Sequence, residues 1–165
     1  RQCGKAEMED QMAGLQWLLS HKWADNERVG VHGWSYGGFM TISLMTHYPD
    51  IFKVGVAGGP VIDWKWYEVM YGERYMENEK TNPEGFAATS LIPQAKNLKG
   101  KLLICQGAID DVVVWQHSLS FVDACICNGV PVDYFPYPRS KHNVRGKWRV
   151  HLMQKVTDYF EDYLR

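Results

Sequence analysis

The chain has 165 residues, 45% of them hydrophobic and 13% aromatic, with a formal net charge of -1. That length and composition suit one globular domain with a real core and exclude a disordered chain. Acids and bases are mixed along the sequence, which leaves no basic face for nucleic acid or an anionic membrane, and no apolar run approaches the roughly 20 residues of a bilayer crossing.

Met8, Met12, Leu15 and Leu19 recur at helical spacing and predict an amphipathic helix ending before Ala24-Asp25-Asn26. A first strand follows at Arg28 to Trp34. After a glycine-rich turn a second helix runs to His47, stopped by Pro49, and Lys53 to Gly58 reads as the second strand. Asp63 to Met76 is dense in aromatics and interrupted by Gly72, which predicts short helices over a cleft. Lys101 to Gln106 is a third strand, and a helix from Trp115 to Asn128 ends at Gly129, a natural left-handed cap. Val132 to Tyr137 is the fourth strand. It leads through a polar loop, Arg139 to Gly146, into a last helix carrying Leu152, Val156, Phe160 and Leu164. Strands that alternate with helices and are continuously apolar predict a mostly parallel sheet with helices on both faces, an α/β fold in a single domain, 1–165.

The chemistry centres on Gly33-Trp34-Ser35-Tyr36-Gly37, which fits G-x-S-x-G between a strand and a helix. Such a turn presents the serine hydroxyl, and the Tyr36 backbone N–H at the helix start points where an oxyanion would form. A serine needs a base and an orienting carboxylate, and in a parallel sheet both are expected beyond the carboxyl ends of strands. Asp110 follows the third strand and His142 the fourth, so the order Ser35, Asp110, His142 is that of α/β-hydrolases. Asp111 competes with Asp110, which lies nearer the strand end. The remaining histidines, His21, His32, His47, His117 and His151, fall in helices, at helix ends or inside a strand and read as structural or surface residues. Cys3, Cys105, Cys125 and Cys127 are too few and too unevenly spaced for a disulfide framework or a zinc site, so neither metal nor cofactor is expected.

The segments EMEDQMAGLQWL, GWSYGGFM, WKWYEVMYGERYM, GAIDDVVV and KHNV resemble the C-terminal α/β-hydrolase domain of the prolyl oligopeptidase family, above all its dipeptidyl peptidase IV and bacterial prolyl tripeptidyl peptidase branches. The resemblance implies Ser35 as nucleophile, Asp110 as orienter, His142 as base and Tyr36 as backbone oxyanion donor. It further implies that Tyr67 and Tyr71, with Val61, Trp64 and Val113, wall an apolar pocket for a proline side chain. The implied activity is release of di- or tripeptides from peptide substrates with proline near the N-terminus, in the periplasm or at the cell surface. An acylaminoacyl peptidase or esterase of the same fold, or a non-catalytic interaction module, is the alternative.

Three departures stand out. Gln106-Gly107 replaces the family's usual His-Gly, a change expected to be tolerated because that histidine is not the base. Val112 replaces an asparagine that helps hold the substrate carbonyl, and Lys141 places a cation before His142, which lowers a neighbouring base's pKa if the two are close. Hydrolase domains of this family run to about 250 residues. The chain is therefore expected to be an N-terminally truncated fragment of little activity, without the β-propeller, and to self-associate through the exposed edge of its first strand.

Overall fold

The computed structural model describes all residues, 1–165. Its elements are α1 (Lys5–Leu19), β1 (Val29–Trp34), α2 (Tyr36–His47), β2 (Phe52–Gly58), α3 (Val69–Met76), α4 (Pro83–Thr89), β3 (Lys101–Gly107), α5 (Gln116–Cys127), β4 (Asp133–Tyr137) and α6 (Lys147–Tyr163), with 3-10 turns at Trp64–Trp66 and Ile92–Asn97. The four strands pair in parallel in the order β1-β2-β3-β4. Right-handed crossovers that always step the same way leave their helices on one face. Accordingly Met12 of α1, Phe39, Ile42 and Met45 of α2 and Phe121 of α5 share one core with Leu102 and Ile104 of β3. Leu103 and Cys105, the alternate residues of β3, face a second core with Leu152 and Val156 of α6.

Continuous burial, expected of all four strands, holds for β2 and β3 only. The outer strands are edges: β1 exposes Gly30 and His32, and β4 exposes Asp133 while half-burying Tyr134, Phe135 and Pro136. Pro136 is accommodated because β4 pairs on one side alone. Gly72 does not interrupt the aromatic segment but lies inside α3. Leu164 lies just past the end of α6 as its cap. The sequence reading left α4 and the turn at Ile92–Asn97 unassigned, although Asn82 and Pro83 are ordinary helix-start residues and the Asn82 side chain accepts the Gly85 N–H at 3.1 Å. Seven residues with Phe86 as the only large apolar anchor are too short for periodicity to register.

His117 is fully buried at the start of α5, where its Nδ1 accepts the Ile62 N–H at 3.0 Å. Burial pushes its imidazole down from 6.5 to about 4. Between those values the unfolded chain binds a proton that the native state refuses, so the native advantage is complete above pH 6.5 and is lost as pH falls toward 4. His117→Gln is therefore expected to flatten the acid side of the stability profile. Relative to the variant, the unmodified chain should lose about 2 kcal/mol between pH 7.5 and pH 5 in urea unfolding; parallel profiles would show that His117 titrates normally.

Candidate active site

The turn from β1 into α2 is set by sterics. A Cβ on Gly33 would run into the carbonyl group of Gly37, so only glycine lets the chain double back here. Ser35, at the apex, has φ 62° and ψ -117°, a strained conformation for a non-glycine residue. Two backbone bonds hold it: its N–H donates to the Gly58 carbonyl at 2.7 Å, and its carbonyl accepts the Phe39 N–H at 3.0 Å. Its side chain makes no capping hydrogen bond. Tyr36 opens α2, so its N–H has no intrahelical acceptor.

The loops after β3 and β4 are stitched together by main-chain bonds. Ala108 N–H donates to the Tyr137 carbonyl at 3.0 Å and Ile109 N–H to the Ser140 carbonyl at 3.2 Å. A Cβ on Gly107 would collide with the backbone of Ser140 and Lys141, so this glycine permits the close approach. The result puts His142 Nδ1 at 2.8 Å from Asp110 Oδ2, with 13% of the His142 side chain and none of the Asp110 side chain exposed. Asp110 Oδ1 accepts the N–H groups of Val112 and Val113, each at 2.9 Å. Asp111 is exposed and pairs with Lys141 Nζ at 2.7 Å, and that ammonium holds its carboxyl below the usual range. Lys141 is thus compensated by Asp111 and is no free cation beside His142.

Ser35 and His142 share this edge. The Trp34 indole, one residue before Ser35, donates to the His142 carbonyl at 2.9 Å, a link across 108 positions that has no local sequence signal. The other five histidines are engaged elsewhere through Nδ1: His21 with the Trp17 carbonyl, His32 with Val56, His47 with Ser43, His117 with Ile62 and His151 with the Tyr137 hydroxyl.

The aromatic residues of Asp63 to Met76 gather next to this edge. Trp64 stacks on Tyr71 at 5.6 Å between ring centroids, and Tyr67 meets both edge-on. Val61, Trp64 and Val113 are buried, leaving Tyr67 and Tyr71 as the half-exposed surface. Burial first, then the charges of Glu68 and Asp110, push the Tyr67 phenol up. The Tyr36 ring joins the cluster at 5.7 Å from Trp64, and its hydroxyl donates to Glu7 Oε1 at 2.7 Å. That anchor on α1 joins residues 29 positions apart and has no local sequence signal. A cavity of about 550 Å³ is lined by His142 with Arg139, Lys141 and Arg145 among others.

A parallel sheet with a serine on a strained strand-to-helix turn, and a histidine–carboxylate pair on the loops beyond the next strands, defines an α/β-hydrolase. The model of the prolyl oligopeptidase family matches residues 1–165. Human dipeptidyl peptidase 8 is 36% identical over 146 residues, covering 86% of this chain and 16% of that protein. A crystal structure from Bacteroides ovatus assigned as a dipeptidyl aminopeptidase IV superposes with a TM-score of 0.98 at 54% identity, covering 99% of this chain and 23% of that one. Porphyromonas gingivalis dipeptidyl peptidase 4 gives 0.94 at 34% identity, with the same 99% and 23%. The chain belongs to the prolyl oligopeptidase family of serine peptidases and spans less than a quarter of the length of these relatives.

The steric reading of the turn separates its two outer glycines. Gly33→Ala should destabilise by roughly 2–4 kcal/mol, the scale of a backbone clash. A Cβ on Gly37 meets nothing within 4 Å, so Gly37→Ala, inside α2, should be neutral or stabilise by up to about 1 kcal/mol. Urea unfolding of both variants checks this; equal losses would mean that the turn is not limited at Gly33.

Proposed function

We propose that this chain carries the catalytic machinery of a serine exopeptidase that releases short N-terminal peptides after proline through an acyl-enzyme intermediate. The observation that carries the reading is the 2.8 Å contact of His142 with Asp110 at the sheet edge that also presents Ser35 on its strained turn. With Nδ1 turned to Asp110, the imidazole keeps Nε2 for the serine. Nε2 takes the Ser35 proton as Oγ attacks the carbonyl carbon of the proline residue. The tetrahedral oxyanion is met by the Tyr36 N–H. His142 then gives the proton to the departing amine, and water, activated by the same nitrogen, hydrolyses the ester on Ser35. Asp110 holds the imidazole orientation and stabilises its charged form throughout.

Tyr67 and Tyr71 fit the proline side chain. A pyrrolidine ring offers apolar faces and no donor, so flat aromatic walls match it without leaving a buried polar group unpaired. Relatives named dipeptidyl peptidases support the release of short N-terminal peptides. Peptide substrates of that kind are the partners proposed here.

In the full-length protein, Ser35→Ala should reduce hydrolysis of a glycyl-prolyl amide to background and Asp110→Asn should cost about 10⁴ in kcat. Tyr71→Ala should lower kcat/KM for the prolyl substrate by about 10–100-fold while sparing a short ester. Faster turnover of acetyl-alanyl amides or short esters than of prolyl amides would contradict the assignment and favour an acylaminoacyl peptidase or esterase.

A further inference from the structure

We propose that Gln106 is a positioning residue for the Asp110–His142 pair, a role that rests on the Ser35–His142–Asp110 reading above. Gln106 lies near the end of β3 and is fully buried. Leu102, Leu103, Ile104 and Cys105, the residues before it, are buried and carry no amide. A polar side chain at the end of such a run costs stability unless each of its groups finds a partner.

Every group does. Nε2 donates to Asp110 Oδ2 at 3.0 Å and to the Val113 carbonyl at 2.9 Å, while Oε1 accepts the Ser118 hydroxyl at 2.7 Å. The two N–H hydrogens and the carbonyl are thereby used. The opposite amide orientation would turn Oε1 onto two acceptors, a carboxylate and a main-chain carbonyl, so these neighbours fix which end faces Asp110. The Ser118 hydroxyl, free to rotate, completes the set from α5.

The geometry then acts on the carboxylate. Asp110 Oδ1 is tied by the Val112 and Val113 amides, whereas Oδ2 is shared by Gln106 Nε2 and His142 Nδ1. Without Gln106, Oδ2 would be held by the histidine alone and would move with it. With Gln106 the carboxylate plane is fixed independently of His142, and the imidazole is steered toward one position and one tautomer, Nδ1–H. Asp110 and His142 are the titratable groups hydrogen-bonded in this network.

The test measures the rate of fluorophosphonate labelling per folded molecule, from pH 5 to pH 8, on the full-length protein, with Ser35→Ala as control. Gln106→Leu removes the donor and is expected to slow labelling by about 10–100-fold at pH 8, the scale of a small misplacement, with probe saturation within about twofold of the unmodified protein. Gln106→Glu keeps the size. At low pH its protonated carboxyl can still donate to Asp110, but once ionised it offers only acceptors and a second negative charge. Its labelling rate, relative to the unmodified protein, is expected to fall by about 10-fold or more between pH 5 and pH 8. A purely structural glutamine would lower the folded fraction while leaving the rate per folded molecule unchanged at every pH. If both variants stay within about twofold of the unmodified rate throughout, the positioning role is overturned. Should Gln106→Leu fail to fold, the pH trend of Gln106→Glu decides alone. Labelling that persists in Ser35→Ala would overturn the underlying triad reading, and the role of Gln106 with it.

Discussion

A carboxylate with no exposed side-chain surface, Asp110, sits in the loop after β3, and the rest of the candidate site is arranged around it. Burying a charge is costly unless donors replace the lost water. Asp110 has four: two backbone amides, the Gln106 amide and the His142 imidazole. Its neighbour Asp111 shows the contrast, exposed and paired with a lysine. Two adjacent residues of the same type thus take different roles through burial and donor supply alone.

The sheet brings these groups together without a long-range device. Parallel strands place every following loop at one edge, and strand order that never reverses keeps α2 and α5 on the same face. The Ser35 turn, the Asp110 loop and the His142 loop are therefore neighbours by topology. Local contacts set the final spacing: Gly107 lets the last two loops touch, and the Trp34 indole ties the serine turn to the histidine loop. Strain stored at Ser35 is held by the Gly58 carbonyl on β2, so the placement of Ser35 depends on strand pairing rather than on its own side chain.

Much of this was legible in the sequence because its signals are local. The serine turn follows from glycines flanking a strand-to-helix junction, and Asp110 and His142 follow from the ends of apolar runs. What escaped was either short or non-local. Helix α4 has too few turns for a period to register. The burial of β2 and β3 and the exposed edge of β1 are legible in the sequence, but the half-exposure of β4 depends on which strand ends the sheet on its other side, a property of the whole sheet. Gln106 is visible in the sequence only as a departure from a family pattern, since its three partners come from the loop after β3 and from α5. The Glu7–Tyr36 bond joins residues 29 positions apart and has no sequence signature.

The central claim is that Asp110 acts through His142, and a double-mutant cycle on kcat tests it most directly. Asp110→Asn, His142→Ala and the double variant are compared for hydrolysis of a glycyl-prolyl amide, each corrected for the folded fraction. If the two residues work as one unit, the double variant is no slower than His142→Ala alone, because the carboxylate has no imidazole left to orient. A further loss of about 10²-fold or more on adding Asp110→Asn to His142→Ala would show that Asp110 acts independently and would contradict this account.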